Sequence, residues 1–154
     1  MKTKIPLPEI KVKVTYKMKG GYDPEKLIKF ESSQDVAKTC RTIFEADNIA
    51  WKEEFILLCL NRANKLIGHF KVSSGGIAGT VADPKVIYTI ALNCTASAII
   101  VCHNHPSGNL TPSSQDIEIT NKLKEAGKML DINLLDHIIL TPAKYYSFLD
   151  EGLL

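Results

Sequence analysis

An apolar run at residues 97–102, SAIIVC, leads without a turn into a long polar string, HNHPSGNLTPSSQD, at residues 103–116. A short apolar run rich in β-branched side chains is typical of a central, buried strand. A string of histidine, asparagine, serine, proline and glycine is typical of a loop. We therefore predict a buried strand that delivers a polar loop at its end.

Strand and helix patterns alternate along the rest of the chain. Ser32 or Ser33 is the predicted N-cap of a first helix, because apolar residues at helical spacing follow it. The other predicted elements are a hairpin with strands at 53–60 and 66–72, helices from Asp83 to near Asn93 and over 113–128, and a strand at 132–140. Because a hairpin implies antiparallel pairing, the expected fold class is α/β with a mixed, largely antiparallel sheet flanked by helices.

The N-terminal segment is the basic part of a nearly neutral chain. Its first 19 residues hold six lysines and one acid, whereas the whole chain carries a formal charge of only +2. Apolar residues alternate with lysines, which predicts a half-buried strand with a lysine-bearing solvent face. The alternating residues are Ile10, Val12, Val14, Tyr16 and Met18 with Lys11, Lys13, Lys17 and Lys19. We interpret the lysines as a solvated edge that discourages aggregation, and contact with nucleic acid is the less favoured alternative.

The cysteines and the hydropathy pattern indicate the cellular compartment of the protein. Cys40, Cys59, Cys94 and Cys102 have irregular spacing and form no CxxC pair, so we predict free thiols. No apolar stretch has the length of a membrane span, and the first residues lack the pattern of a secretion signal. We expect a cytoplasmic protein with no membrane contact, divided into an extension at 1–31 packed on a domain at 32–154.

Three residues of the polar string have the chemistry of a metal site. His103 and His105 are two apart at a strand end, so their side chains leave the same face and can bind one ion. Asp116 follows in the first turn of the next helix and can add a carboxylate oxygen. Two imidazoles and a carboxylate suit zinc, and three protein ligands leave the fourth position for water, as in catalytic sites.

A catalytic zinc site also needs a base. Glu53 and Glu54 begin a predicted strand, where alternation places them on opposite faces, and the pattern alone allows either one. Ser113 precedes Asp116 by three residues and can donate to an oxyanion beside the metal. The same serine also fits an ordinary helix N-cap.

These residues resemble a known motif. His103-x-His105, seven residues, Ser113, two residues and Asp116, with an upstream carboxylate, resemble the zinc motif of the JAMM (MPN+) metalloprotease fold. More narrowly, HNHPSGNLTPSSQD and the later LLDHIIL are similar to RadC-like proteins, once labelled DNA repair proteins. The resemblance covers residues 32–154, and residues 1–31 hold no counterpart of the family's helix-hairpin-helix region. It implies a JAB/MPN fold with a cytidine-deaminase-like architecture.

The resemblance also implies roles. His103, His105 and Asp116 would be the metal ligands, and Ser113 would stabilise the intermediate. Glu53 would be the general base, because family members carry the acid two residues before the aromatic residue of the strand, which is Phe55 here.

Two functional hypotheses follow. The leading one is a zinc-dependent hydrolase of peptide or isopeptide amides, a reaction class that the resemblance implies. The alternative is a non-catalytic or DNA-associated accessory module of a DNA repair or mobile-element system, with the lysines of residues 11–19 as its contact surface. His69 is interpreted as an ordinary surface or core histidine, and His137 either orients a metal ligand or is structural. The pattern leaves the substrate and the oligomeric state open.

Overall fold

Helices and strands alternate along the chain, as predicted. The computed structural model describes residues 9–17, 19–44, 48–75 and 82–154, and within these ranges it contains three α-helices and five strands. The helices are α1 (Ser33–Ile43), α2 (Pro84–Asn93) and α3 (Ser114–Leu130). The strands are β1 (Glu54–Leu60), β2 (Leu66–Ser74), β3 (Ala98–Asn104), β4 (Asn133–Leu140) and β5 (Tyr145–Ser147). For the elements that the structure contains, the predicted ends given above differ from these by no more than two residues.

The strands form one sheet in the order β2-β1-β3-β4-β5. β3 lies at the centre, where it pairs antiparallel with β1 and parallel with β4. β2 and β5 pair antiparallel with β1 and β4. The predicted α/β fold with a mixed, largely antiparallel sheet is therefore confirmed.

Both faces of the central strands are covered, so their sequence is continuously apolar instead of alternating. Even-numbered side chains of β1 and β3, such as Ile56 and Ile100, pack with α1. Odd-numbered ones, such as Leu57 and Val101, pack with residues of α2 and α3. Every residue of β1 and β3 is buried. This division decides which side chains of the polar string meet α3.

α3 is held against the rest of this second layer at two points. The Tyr88 hydroxyl of α2 donates to the Leu123 carbonyl of α3 at 2.6 Å. Gly127 passes so close to the following turn that a Cβ there would clash with the Ile132 carbonyl oxygen. Both contacts that hold α3 thus lie far from the polar string.

The lysine-bearing segment does not form the predicted strand. Residues 9–17 join no ladder, and Ile10 and Val12 are 89% and 66% exposed. Alternation alone cannot make a strand, because the backbone groups need a neighbouring strand to pair with. At the β2 edge the Tyr16 ring of this segment lies over the backbone of Gly68. Met18, the last apolar position of the alternation, lies outside the described residues.

The predictions about the cysteines and about membrane spans can be compared with the described residues. All four cysteines are unpaired thiols, as expected. In the described part of the chain, no helix combines the length and the apolar character that crossing a membrane requires.

Candidate metal centre

The candidate metal centre lies where β3 ends and α3 begins. His103 is the penultimate residue of β3, His105 follows the strand, and Asp116 lies in the first turn of α3. A capping box places Asp116: its N–H donates to the Ser113 hydroxyl at 3.1 Å, and its carboxylate accepts from the Ser113 N–H at 2.7 Å. The His105 N–H donates to the Leu140 carbonyl at 2.8 Å, which holds the start of the loop beside β4.

The three predicted ligands converge on one point. The Nε2 atoms of His103 and His105 are 2.9 Å apart. Asp116 Oδ1 lies 3.1 Å from His103 Nε2, and Asp116 Oδ2 lies 3.6 Å from His105 Nε2. One ligand atom from each residue lies within 4.8 Å of the others, so the three can share an ion. Two imidazole nitrogens and one carboxylate oxygen form a donor set that fits zinc.

The charges at this point are strongly coupled. Burial alone would raise the pKa of Asp116, but the neighbouring imidazoles of His103 and His105 and the Ser113 hydroxyl hold it well below the usual range. The Asp116 carboxylate, which can accept a hydrogen bond from His105 once that imidazole is protonated, raises the pKa of His105 against the effect of burial, and the field of Glu53 adds to it. Asp116 is therefore an anion between two imidazoles, which is the charge distribution that a cation requires.

His103 is fixed from behind by a second histidine. The ring of His103 stacks on Phe55, with centroids 5.7 Å apart and planes inclined by 7°. Its Nδ1 lies 2.8 Å from Nε2 of His137, whose own Nδ1 lies 2.6 Å from the Thr120 hydroxyl. His137 is completely buried and stacks on Phe148, and this burial lowers the pKa of His137 well below its usual value. His137 is thus in direct contact with a predicted ligand, and its orienting role stays a prediction.

Glu54 is committed to a different set of contacts. It is buried, and its Oε1 accepts a hydrogen bond from Lys71 Nζ at 2.9 Å and lies 3.4 Å from Lys52 Nζ. Burial alone would raise the pKa of Glu54, but the bonds and charges of these two lysines lower it below its usual value. The Ser74 hydroxyl also donates to Oε1, at 3.3 Å. Glu54 is a paired anion on the sheet face opposite His103.

Glu53 is the carboxylate that the resemblance implies as the base. In the β1–β3 register Phe55 lies opposite His103, and continuing that register places Glu53 opposite His105, on the face of the metal centre. The Glu53 carbonyl accepts from the Gly75 N–H at 2.9 Å, which holds this position at the end of the hairpin. The role of Glu53 stays a prediction, as does that of Ser113, whose hydroxyl donates to Asp116 Oδ2 at 2.7 Å.

Asn104 is a residue of the site region that the sequence reasoning missed. Its side chain is buried on the face away from the ligands, where Oδ1 accepts from the Glu54 N–H at 2.8 Å. Its Nδ2 donates to the carbonyls of Ile49 and Lys52, each at 2.8 Å. Asn104 therefore joins the end of β3 to the backbone on both sides of Glu53. An amide side chain between two histidines at the end of an apolar strand is the sequence signal that could have identified it.

The structure also locates Ser113, His69 and Thr120. Ser113 is the N-cap of α3, which confirms its capping interpretation without testing a catalytic one. His69 is exposed on the edge strand β2. Thr120 was not singled out, although its position four residues after Asp116 places it one helical turn further along α3.

Comparison with known proteins identifies relatives over most of the chain. The family model of the RadC-like JAB domain matches residues 30–153. A UPF0758 protein of Flavobacterium johnsoniae is 52% identical over 101 residues, which are 66% of this chain and 44% of that protein. A UPF0758 protein of Clostridium perfringens is 38% identical over 127 residues, or 82% of this chain and 55% of that protein.

A third relative matches over a similar extent. A UPF0758 protein of Staphylococcus haemolyticus is 44% identical over 101 residues, which are 66% of this chain and 44% of that protein. The chain thus spans about half the length of the curated relatives that it matches. With its matched region extending from before α1 to the last residues and its fold as described, this chain belongs to the RadC-like JAB domain family.

Proposed function

We propose that this chain is a zinc-dependent hydrolase that cleaves peptide or isopeptide amides. The observation that carries the proposal is the convergence of His103, His105 and Asp116, three ligand-type side chains whose donor atoms meet at a strand end. Membership of the RadC-like JAB domain family supports a hydrolytic fold. The amide bond as substrate rests on the resemblance to JAMM metalloproteases, since activated water attacks other electrophiles equally well.

The reaction divides into steps that this chain's own residues perform. His103, His105 and Asp116 would hold the zinc ion, which would supply Lewis-acid chemistry that polarises a carbonyl and lowers the pKa of water to near neutrality. The Glu53 carboxylate takes a proton from the water molecule while the oxygen of that water attacks the carbonyl carbon. When the carbon–nitrogen bond breaks, Glu53 returns that proton to the leaving amine. Its predicted place opposite His105 supports this role.

Ser113 is proposed to stabilise the developing oxyanion by hydrogen bonding. Its single hydroxyl proton is directed to Asp116 Oδ2 at 2.7 Å, so the hydroxyl has to rotate from the carboxylate to make that bond. The backbone bond from the Ser113 N–H to the same oxygen, also 2.7 Å, keeps Asp116 in place while it does so.

The first test counts bound metal. We expect elemental analysis of untagged protein, purified without added metal or chelator, to find about one zinc per chain. His103→Ala and His105→Ala should lose it, whereas His69→Ala, a matched change at an exposed histidine, should retain it. Absence of zinc in the wild type, together with no binding on titration, would contradict the proposal.

The second test separates the base from the ligands. Glu53→Gln should retain zinc and lose amide cleavage by about 10²–10⁴-fold, the usual contribution of a general base. The matched control is Glu118→Gln, an exposed α3 residue that pairs with Lys122. The assay uses a panel of fluorogenic peptide and isopeptide amides, and unchanged cleavage by Glu53→Gln would exclude Glu53 as the base.

A further inference from the structure

A continuous chain of hydrogen bonds joins the backbone of one predicted ligand to the imidazole of another. It runs from the Asp116 carbonyl through Thr120 and His137 to His103. We propose that Thr120 and His137 are positioning residues that hold His103 in the tautomer whose bare Nε2 faces the metal. The inference rests on the proposed metal site, and it adds the two residues that prepare one ligand for the ion.

The hydroxyl group of Thr120 determines which atom donates in each of these hydrogen bonds. Thr120 Oγ1 lies 2.5 Å from the Asp116 carbonyl oxygen. A carbonyl oxygen can only accept, so the single hydroxyl proton of Thr120 is used in this bond. Nδ1 of His137 lies 2.6 Å from the same hydroxyl oxygen. Since that oxygen has no second proton to give, Nδ1 of His137 has to be the donor.

The same reasoning assigns the donor and the acceptor nitrogen of His137. A neutral imidazole has one N–H and one acceptor nitrogen, so a proton on Nδ1 leaves Nε2 as an acceptor. His103 Nδ1 lies 2.8 Å from this Nε2 and therefore donates to it. In its neutral form His103 then carries no proton on Nε2, and this is the atom that lies 3.1 Å from Asp116 Oδ1. The lone pair of Nε2 is directed into the candidate metal centre.

The surroundings hold His137 in this orientation. Its ring is completely buried and stacks on Phe148, with centroids 4.7 Å apart and planes inclined by 10°. Both ring nitrogens already have polar partners, so turning the ring over would break two buried hydrogen bonds. The parallel pairing of β4 with β3 sets Val101 opposite His137, which places the ring behind His103.

His105, the other predicted histidine ligand, has the same tautomer without a chain of side-chain hydrogen bonds. His105 Nδ1 lies 2.7 Å from the Asn109 carbonyl oxygen and has to donate to it. Nε2 of His105 is then also the ligand atom. Because His105 depends on a backbone carbonyl of its own loop, a change at Thr120 should affect His103 and leave His105 unaltered.

The wild-type protein provides the first test. Two-bond ¹⁵N–¹H correlation spectra of the metal-free protein at pH 8 report which nitrogen of each imidazole bears the proton. We expect His137 to be protonated on Nδ1 with a bare Nε2, and His103 to be protonated on Nδ1. A proton on Nε2 of His137 would overturn the proposal, and this measurement needs no variant to fold.

The second test uses a pair of variants that differ in the hydroxyl. Thr120→Val removes it at nearly constant shape, so the His137 proton loses its acceptor and the reverse tautomer can place a proton on His103 Nε2. We expect zinc affinity, measured by competition with a chelator, to fall roughly ten- to hundredfold, as is usual when the hydrogen-bond partner behind a metal ligand is lost. Thr120→Ser retains the hydroxyl and should stay within a few-fold of the wild type.

The control is Thr42→Val. The Thr42 hydroxyl likewise bonds a carbonyl of its own helix, that of Thr39 at 2.7 Å in α1, and should leave zinc affinity unchanged. Equal losses in Thr120→Val and Thr120→Ser, or none in either, would overturn the proposal. If the wild type binds no zinc, the proposed function fails, whereas the His137 tautomer in the metal-free protein is still decided by the spectra.

Discussion

Asn104 lies between His103 and His105 in sequence, but strand alternation directs its side chain to the opposite face of the sheet. There it uses its carbonyl oxygen and its amide nitrogen in three hydrogen bonds to backbone groups of Ile49, Lys52 and Glu54. The two candidate metal ligands and the residue that holds the neighbouring segment thus alternate along three consecutive positions. β3 and the backbone around Glu53 are joined by one buried amide.

Removing this amide should cost stability and spare metal binding. Asn104→Ala leaves the Glu54 N–H and two carbonyls without their partner, at about 1–3 kcal/mol for each buried group that water cannot reach. We expect a lower urea midpoint and an unchanged zinc stoichiometry, because the side chain faces away from the ligands. Asn93→Ala is the control: its exposed amide donates only to Thr89, so its effect should stay within about 0.5 kcal/mol. Equal urea midpoints for the two variants would contradict the prediction.

Predictability at this scale depends on how far apart two residues are in sequence. His103 and His105 were predicted as a pair because a period of two is a local property of a strand. Their contact with Asp116 followed from a short loop. The contact between His103 and His137 depends on the register of β4 against β3, 34 residues later, and no local pattern contains that register. The strand pattern alone left Glu53 and Glu54 equivalent for the same reason, because the face that each one occupies depends on the neighbours of β1.

At the scale of elements, one capping box begins α3 and also anchors a ligand. Ser113 and Asp116 exchange hydrogen bonds as N-cap and third helical residue. The first helix has the same arrangement in Ser32 and Asp35, which belong to no group of potential metal ligands among the described residues. The two serines are therefore a natural pair for separating what a cap contributes to the helix from what it contributes to the metal centre.

Replacing each serine by alanine should separate these contributions. Ser113→Ala and Ser32→Ala should each lower the free energy of unfolding by about 0.5–2 kcal/mol, the usual effect of an N-cap. Only Ser113→Ala should weaken zinc binding as well, because Asp116 Oδ2 loses the hydroxyl bond of 2.7 Å. Urea unfolding and chelator competition measure the two effects. If Ser113→Ala keeps zinc affinity but loses amide cleavage, the oxyanion role is favoured over the anchoring role.

At the scale of the whole molecule, the sequence predicted elements and their order better than their pairing. The helices have their own start signals, such as Ser32 and Asp83, and the buried strands have continuous apolar runs. The segment at residues 9–17 has a clean alternation and still forms no strand, because a strand exists only with a partner. Pairing is a property of the assembled sheet, and that is also where His137 and Asn104 acquire their roles.

The candidate metal site joins two elements, the end of β3 and the start of α3. An ion held by His103, His105 and Asp116 would bind the folded chain in preference to the unfolded one, since only folding brings the three side chains together. With zinc at about a hundred times its dissociation constant, the stabilisation is about 2.7 kcal/mol.

For a chain of this length, such a stabilisation corresponds to a rise in Tm of roughly 5 to 10 °C. Differential scanning fluorimetry of chelator-treated protein, with and without added zinc, measures it. His103→Ala should show no rise at the same zinc concentration, and His69→Ala should show the full one. A rise of equal size in His103→Ala would mean that zinc stabilises the protein elsewhere, and the coupling of metal to the β3–α3 junction would then be excluded.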